Sequence, residues 1–337
     1  MSGLLPQQTP HAAPPSVTRP PFDSAFKNAG GLAHFTDELK LDAVREYASK
    51  DSIDAILDKF PHLAHAEYSV PAVMGFDDHS TVLSTFQSKS STNTKKSVLY
   101  YIHGGGQVSG NRFSGLDAVI SLLPNNDDIV FASIEYRLAP EHRAPAGAED
   151  CYAGLVYLAD KSVELGIDPS KFVVFGISGG GPLAAASCML SRNRRYPQIR
   201  AQMLSVPMLD DRDDIGVSWK QFETGTLWPG KSNRMAWDMV LGPERGGPHV
   251  DEIQCAARAT DLSKLPPAFI DVGECEVFRD GAVAYASRLW ESGGTAELHV
   301  WPGVYHGAHL LEDTPVTRAM LAAEKDYIVR ALGIREG

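Results

Sequence analysis

Gly176-Ile177-Ser178-Gly179-Gly180 closes the apolar run Phe172-Val173-Val174-Phe175, and His103-Gly104-Gly105-Gly106 closes the earlier run Val98-Leu99-Tyr100-Tyr101-Ile102. Short continuous apolar runs that end in glycine-rich turns read as strands buried on both faces of a parallel sheet. The Gly-x-Ser-x-Gly spacing is that of a sharp strand-to-helix turn that holds one serine above the sheet. Side chains two positions before and after that serine would collide in so tight a bend, which accounts for glycine at both. The earlier stretch offers backbone N–H groups that are free to meet a developing oxyanion. Taken singly, each piece could be an ordinary tight loop or an anion-binding nest. In this order, each after its own strand, they point to acyl transfer.

Outward from these two turns the chain alternates. Strand patterns at 98–102, 129–136, 172–175 and 203–206 are separated by helical patterns near 115–123, 147–165 and 179–193. That order predicts an α/β fold, a mostly parallel sheet with helices on both faces. Asp150, Tyr152, Leu155, Val156 and Leu158 predict a helix with one sheet-facing side. Two short helices are expected between Asp37 and Phe60, then strand-like stretches at 67–73 and 81–88; residues 1–22, rich in proline, read as irregular. After Asp210 the alternation breaks. Residues 210–259 read as an excursion from the sheet, with a helix near 233–241 and an acidic run, Asp210-Asp211-Arg212-Asp213-Asp214, expected as a solvated turn rather than a metal site. Strand and helix order resumes at 268–272, 279–292, 297–301 and 314–332.

Composition narrows the function classes. The 337 residues are 43% hydrophobic and 22% charged, ordinary for a globular enzyme. A net charge of −11 disfavours nucleic acid and anionic membranes as partners. The four cysteines, Cys151, Cys188, Cys255 and Cys275, have no metal-like or paired spacing, so a disulfide framework is not expected. No run of residues is long and apolar enough to span a bilayer, and the first residues lack a signal-peptide pattern. A cytoplasmic location is the expectation.

These motifs together resemble the hormone-sensitive-lipase-like branch of the α/β-hydrolases. The resemblance rests on the glycine turns at 103–106 and 176–180, Tyr136-Arg137-Leu138-Ala139-Pro140-Glu141, Glu276-Val277-Phe278-Arg279-Asp280 and Tyr305-His306-Gly307. It implies a catalytic core at 61–209 and 260–337 under a mainly helical cap made of 1–60 and 210–259. Trp228 and Trp237 are the cap residues expected to wall a substrate pocket. The stretch Tyr136–Glu141 is expected to brace the active-site loops.

A serine hydroxyl needs a base to take its proton and a third group to hold that base. In this fold the order along the chain is serine, acid, histidine. Of the later histidines, His299 falls within a strand pattern and His249 within the cap. His306, in a glycine-flanked loop after the last strand, is the expected base, with His309 the alternative. Alignment with the family's aspartate puts Glu276 in the acid's place, with Glu274 or Asp280 as alternatives. Asp271 falls within a strand. The resemblance thus implies Ser178, His306 and Glu276 as the catalytic triad, and the N–H groups of Gly104, Gly105 and Gly179 as the oxyanion hole. His103 reads as a loop-positioning residue. The implied reaction is hydrolysis of small to medium, fairly apolar esters or lactones, with no metal or organic cofactor. Acyl transfer or elimination on the same scaffold, or a non-catalytic ligand receptor, are the alternatives; a homodimer is left open. The elbow departs from the family's commoner Gly-Asp-Ser-Ala-Gly in Ile177 and Gly179, and the second change is expected to add backbone freedom.

Overall fold

The sheet grows from its most apolar strands. In the computed structural model, which describes residues 17–27, 39–73, 76–91 and 95–334, β3 (Lys96–Ile102) and β4 (Ile129–Ile134) are buried at every position. Interior parallel strands covered on both faces read this way. Around them lie β1 (Leu63–Pro71), β2 (Ser80–Ser88), β5 (Ile167–Ile177), β6 (Ala201–Ser205), β7 (Ala268–Gly273) and β8 (Ala296–Trp301). The order across the sheet is β1-β2-β4-β3-β5-β6-β7-β8. The pairs β1–β2 and β2–β4 are antiparallel and the remaining neighbours are parallel. The α/β architecture read from the sequence is therefore present, with antiparallel strands confined to one edge.

Helices alternate with the strands: α1 (Leu41–Ala48), α2 (Ile53–Lys59), α3 (Leu116–Leu122), α4 (Ala146–Asp160), α5 (Ser162–Leu165), α6 (Gly180–Arg194), α7 (Ser218–Gln221), α8 (Gly230–Leu241), α9 (Arg279–Glu291), α10 (Ala308–Leu311) and α11 (Pro315–Leu332). Successive β3 side chains point to opposite faces. Val98, Tyr100 and Ile102 join the core under α4, α6 and α9, while Leu99 and Tyr101 join the one under α3 and α11. The last helix starts where its sequence says it should. Thr314 and Thr317 cap it reciprocally and Pro315 opens its first turn.

Two local expectations fail. Helix α4 is not one-sided: residues 146–155 are all buried. Its polar Asp150 is accommodated because Arg137 meets it through Nη2 at 2.8 Å and the backbone N–H at 2.9 Å. Nor is the acidic run a solvated turn, since Asp210 and Asp211 are buried. Asp210 pairs with Arg212 at 2.6 Å. Asp211 pairs with Arg258 at 2.7 Å and accepts the Gly246 N–H at 2.6 Å. Asp210, Asp211 and Cys255 offer atoms within 4.8 Å of one another. These arginines and the amide already take the carboxylate oxygens, and burial pushes the Cys255 thiol well above its ordinary pKa.

Residues 210–259 form a strand-free excursion after β6, containing α7 and α8. The N-terminal stretch lies against it. The Gln221 side chain donates to Thr18 O at 2.6 Å and Arg19 donates to Thr224 O at 3.0 Å. Most of the proline-rich region at 1–22 falls outside the described residues; 17–22 form no helix or strand. No helix among the described residues is long and apolar enough to cross a membrane.

The order β4-β3-β5 makes the sheet reverse direction beside β3. Open α/β sheets form their crevice at such a reversal, outside the carboxyl ends of the strands. His103 follows β3 and Ser178 follows β5, so both glycine turns lie there.

Candidate active site

β5 ends at Ile177 and α6 starts at Gly180, leaving Ser178 and Gly179 to make the bend. Ser178 has φ of 53°, the left-handed region that a non-glycine residue occupies at a cost of about 1–3 kcal/mol. The bend is held from three sides. Ser178 N–H donates to Ser205 O at 2.9 Å, and Ser178 O accepts from Gly181 at 2.9 Å and Met208 at 3.0 Å. A Cβ at Gly176 would run into Gly180 O, and one at Gly180 into Ile102 O. The collisions expected of side chains at these two positions are thus specific backbone clashes.

Gly179 behaves differently from its expectation. Its φ of −58° and ψ of −23° are ordinary helical values, so backbone freedom is not what it provides. A Cβ there would stand 2.5 Å from Gly106 N. Glycine is needed because the 103–106 turn lies directly on the elbow.

Ser178 Oγ and His306 Nε2 are 2.9 Å apart. On the other side of the ring, His306 Nδ1 and Glu276 Oε2 are 2.6 Å apart. With its proton on Nδ1, the imidazole donates to Glu276 and presents the Nε2 lone pair to the serine hydroxyl. The second Glu276 oxygen accepts the Gly273 N–H at 2.6 Å, so this fully buried carboxylate is satisfied at both oxygens. Phe278 stands edge-on to the His306 ring, centroids 5.0 Å apart at 80°. Glu276 and Phe278 lie between β7 and α9, and His306 lies in the loop after β8.

The alternatives are engaged elsewhere. His309 is buried in α10, where burial, with help from neighbouring His306, lowers its pKa to about 4. His299 stacks on Trp301 with centroids at 5.1 Å. His249 is exposed. Glu274 accepts the Gly303 N–H at 2.9 Å. Asp280 accepts the Val217 and Ser218 N–H groups at 2.6 and 2.8 Å, tying the start of α9 to the 210–259 excursion. Asp271, within β7, accepts from the Trp301 indole at 3.2 Å.

The N–H groups of Gly104, Gly105 and Gly179 donate to no acceptor among the described residues. A Cβ at Gly104 would sit 3.3 Å from Ser178 Cβ, so this backbone packs against the serine itself. Gly179 is the N-cap of α6, whose dipole places partial positive charge there. The turn is braced as the resemblance implies. The Tyr136 hydroxyl donates to His103 O at 2.9 Å, and the two rings stack with centroids at 4.2 Å. Ala139 N–H donates to Gln107 O at 2.9 Å. Glu141 takes two hydrogen bonds from Arg45 of α1, at 2.8 and 2.7 Å, and Arg45 also donates to Val108 O at 2.8 Å. His103 is buried and has its pKa lowered to about 4, chiefly by that burial. A neutral ring fits the loop-positioning reading.

Ser178 and His306 open into a cavity of about 240 Å³. Trp228 lines it, with its ring centroid 6.4 Å from that of His306. Trp237 does not. It is fully buried on the inner side of α8, within the core shared with α4 and α6, so the expectation that it walls the pocket is corrected. Trp237 follows the inward apolar stripe of α8, whereas Trp228 lies in the loop before that helix. Tyr47 and Asp51 also line the cavity. No motif singles them out; only the assignment of 1–60 to a cap points toward them.

Residues 99–310 match the model of a family described as the alpha/beta hydrolase fold. Among solved structures, a bacterial heroin esterase is 32% identical, with a TM-score of 0.81 over 89% of this chain and 94% of that one. The arylesterase of Saccharolobus solfataricus is 32% identical over 201 residues, 59% of this chain and 64% of the arylesterase. Carboxylesterase NlhH of Mycobacterium tuberculosis is 32% identical over 219 residues, 62% of this chain and 66% of its own. The match thus spans slightly under two thirds of the length of either curated relative. With the sheet order, the turns and the family match in agreement, the chain belongs to the hormone-sensitive-lipase-like branch of the α/β-hydrolases.

Proposed function

We propose that this protein is a serine carboxylester hydrolase acting on small to medium esters or lactones with a fairly apolar acyl part. The observation that carries this reading is the unbroken hydrogen-bonded line from Ser178 Oγ through His306 to Glu276. The names of the similar esterases support it. His306 Nε2 takes the Ser178 proton as Oγ bonds to the ester carbonyl carbon. The carbonyl π electrons move onto oxygen, and the oxyanion accepts N–H bonds from Gly104, Gly105 and Gly179. Glu276 stabilises the imidazolium that forms. Collapse breaks the bond to the alcohol oxygen, which takes the proton from His306. Water then enters with the same base and frees the acid, restoring Ser178.

In this reading residues 1–60 and 210–259 act as the cap over the core formed by 61–209 and 260–337. Turnover of p-nitrophenyl esters from acetate to dodecanoate tests the function. Wild type should hydrolyse the short members and fall off as the acyl chain outgrows the cavity. Ser178→Ala should lose about four to six orders of magnitude in kcat. Equal turnover by wild type and Ser178→Ala would overturn the proposal.

A further inference from the structure

The cavity above Ser178 has a neighbour. A larger space of about 820 Å³ shares Tyr47, Asp51, Gly115, Leu310 and Leu311 with it as common wall. Those shared residues stand between the two spaces, an inner chamber around the serine and an outer vestibule beside α3 and α11, and form the throat of the site. Around the serine the inner wall is apolar, with Ile177, Val206, Leu227 and Trp228. In an acyl-enzyme mechanism the acyl group stays bound to serine while the alcohol leaves first. That apolar wall suits the acyl group, which leaves the alcohol toward the throat.

Asp51 is the charged member of that throat. It is half-buried, and among the described residues no cation forms an ion pair with it. Nearby charges are otherwise disposed. Asp117 is paired with Lys59 at 2.7 Å, and Lys325 on the vestibule wall has a partner of its own. Lys50 holds its ammonium over the Tyr47 ring, 5.7 Å from the centroid. Burial raises the Asp51 pKa, a Ser114 hydrogen bond opposes that, and Asp117 adds to the rise. A carboxylate partly withdrawn from water without a cation is costly, and a ligand that brings one relieves that cost.

We infer that this site selects esters of amino alcohols, with the Asp51 carboxylate at the throat recognising a cationic amine on the leaving alcohol. The inference rests on the esterase reading and adds the substrate class to it. Asp51 is a specificity residue and takes no part in bond making.

The test compares acetylcholine with its uncharged isostere, 3,3-dimethylbutyl acetate. For wild type the ratio of kcat/KM, charged over neutral, should be about fivefold to tenfold, the scale of a half-buried ion pair. Asp51→Asn should bring that ratio close to one, and Asp51→Glu should restore most of it. Binding of the two product alcohols, choline and 3,3-dimethylbutan-1-ol, measured by calorimetry, gives the same comparison without turnover. A wild-type preference at or below one, in hydrolysis or in alcohol binding, overturns the inference, as does a preference that survives in Asp51→Asn. Hydrolysis of the neutral ester with no charge preference would overturn this inference and leave the esterase reading standing. Failure to hydrolyse either ester would count against the esterase reading, and alcohol binding without charge preference would still overturn the inference.

Discussion

Glu276 reaches His306 with one more methylene than the family's usual aspartate, and the local backbone explains how. Its second oxygen is anchored on Gly273 N–H at 2.6 Å, so the longer side chain is fixed at both oxygens. Glu276→Gln should preserve the shape while weakening the imidazolium's partner, lowering kcat by about a thousandfold or more with little change in KM. Glu276→Asp should also lose activity, because the shorter chain cannot meet both partners; steady-state kinetics on p-nitrophenyl acetate reads both. Gly179 gives a second residue-scale expectation. Gly179→Ala would set a Cβ 2.5 Å from Gly106 N and push the 103–106 turn, the proposed oxyanion hole, off the elbow. Loss of one oxyanion donor typically costs about 100- to 1,000-fold in kcat, so kcat should fall well before KM changes. A fully active Gly179→Ala would show that the turn can recede freely.

At the scale of elements, α1 is bound to the loop after β3 through one arginine. Arg45 joins Glu141, Val108 O and Ala139 O at 2.7–2.9 Å. Arg45 and Glu141 are both partly exposed, so their mutual coupling should be modest, about 0.5–1 kcal/mol in a double-mutant cycle of unfolding free energies. Arg45→Ala alone should loosen α1 and raise KM, with faster limited proteolysis near residues 41–48 as the check. The elements themselves were legible in the sequence because buried parallel strands such as Val98–Ile102 and Phe172–Phe175 carry their own signal. What was not legible depends on distant partners. The acidic run looks solvated until Arg258 and Gly246 fold onto Asp211. Trp237 and Trp228 have the same residue type, and only their placement, one on the inward stripe of α8 and the other in the loop before it, separates filler from wall. The meeting of Ser178, Glu276 and His306 could be anticipated because each follows a strand end that the fold brings to the same rim; the place of Asp51 on the cavity wall could not, because it follows a short amphipathic helix like many others.

For the whole molecule, buried ionisable groups set how stability responds to pH. His103 and His309 are buried and have pKa values lowered to about 4. In the unfolded chain each takes a proton near its ordinary value of about 6.5. Below that pH the unfolded state binds more protons at these two sites than the folded one, so their contribution to stability falls as pH drops from about 6.5 through about 4. The loss should end once both states are protonated. Urea midpoints measured from pH 7 to pH 4.5 should show His309→Gln losing less stability on acidification than wild type. An identical slope in the variant would refute the assignment. Over the same interval, and with the opposite sign, burial raises the carboxyl pKa values of Asp271 and Glu324. The folded state keeps those protons longer than the unfolded one, so their contribution is lost as pH rises.

The whole account turns on Ser178 being the activated nucleophile. The most direct measurement is treatment with a fluorophosphonate, followed by peptide mass mapping and assay of residual hydrolysis. One adduct per chain, on Ser178, with hydrolysis lost in step and no adduct in His306→Ala, is the expected result. An unlabelled Ser178 in active enzyme, or labelling that leaves ester turnover intact, would contradict it.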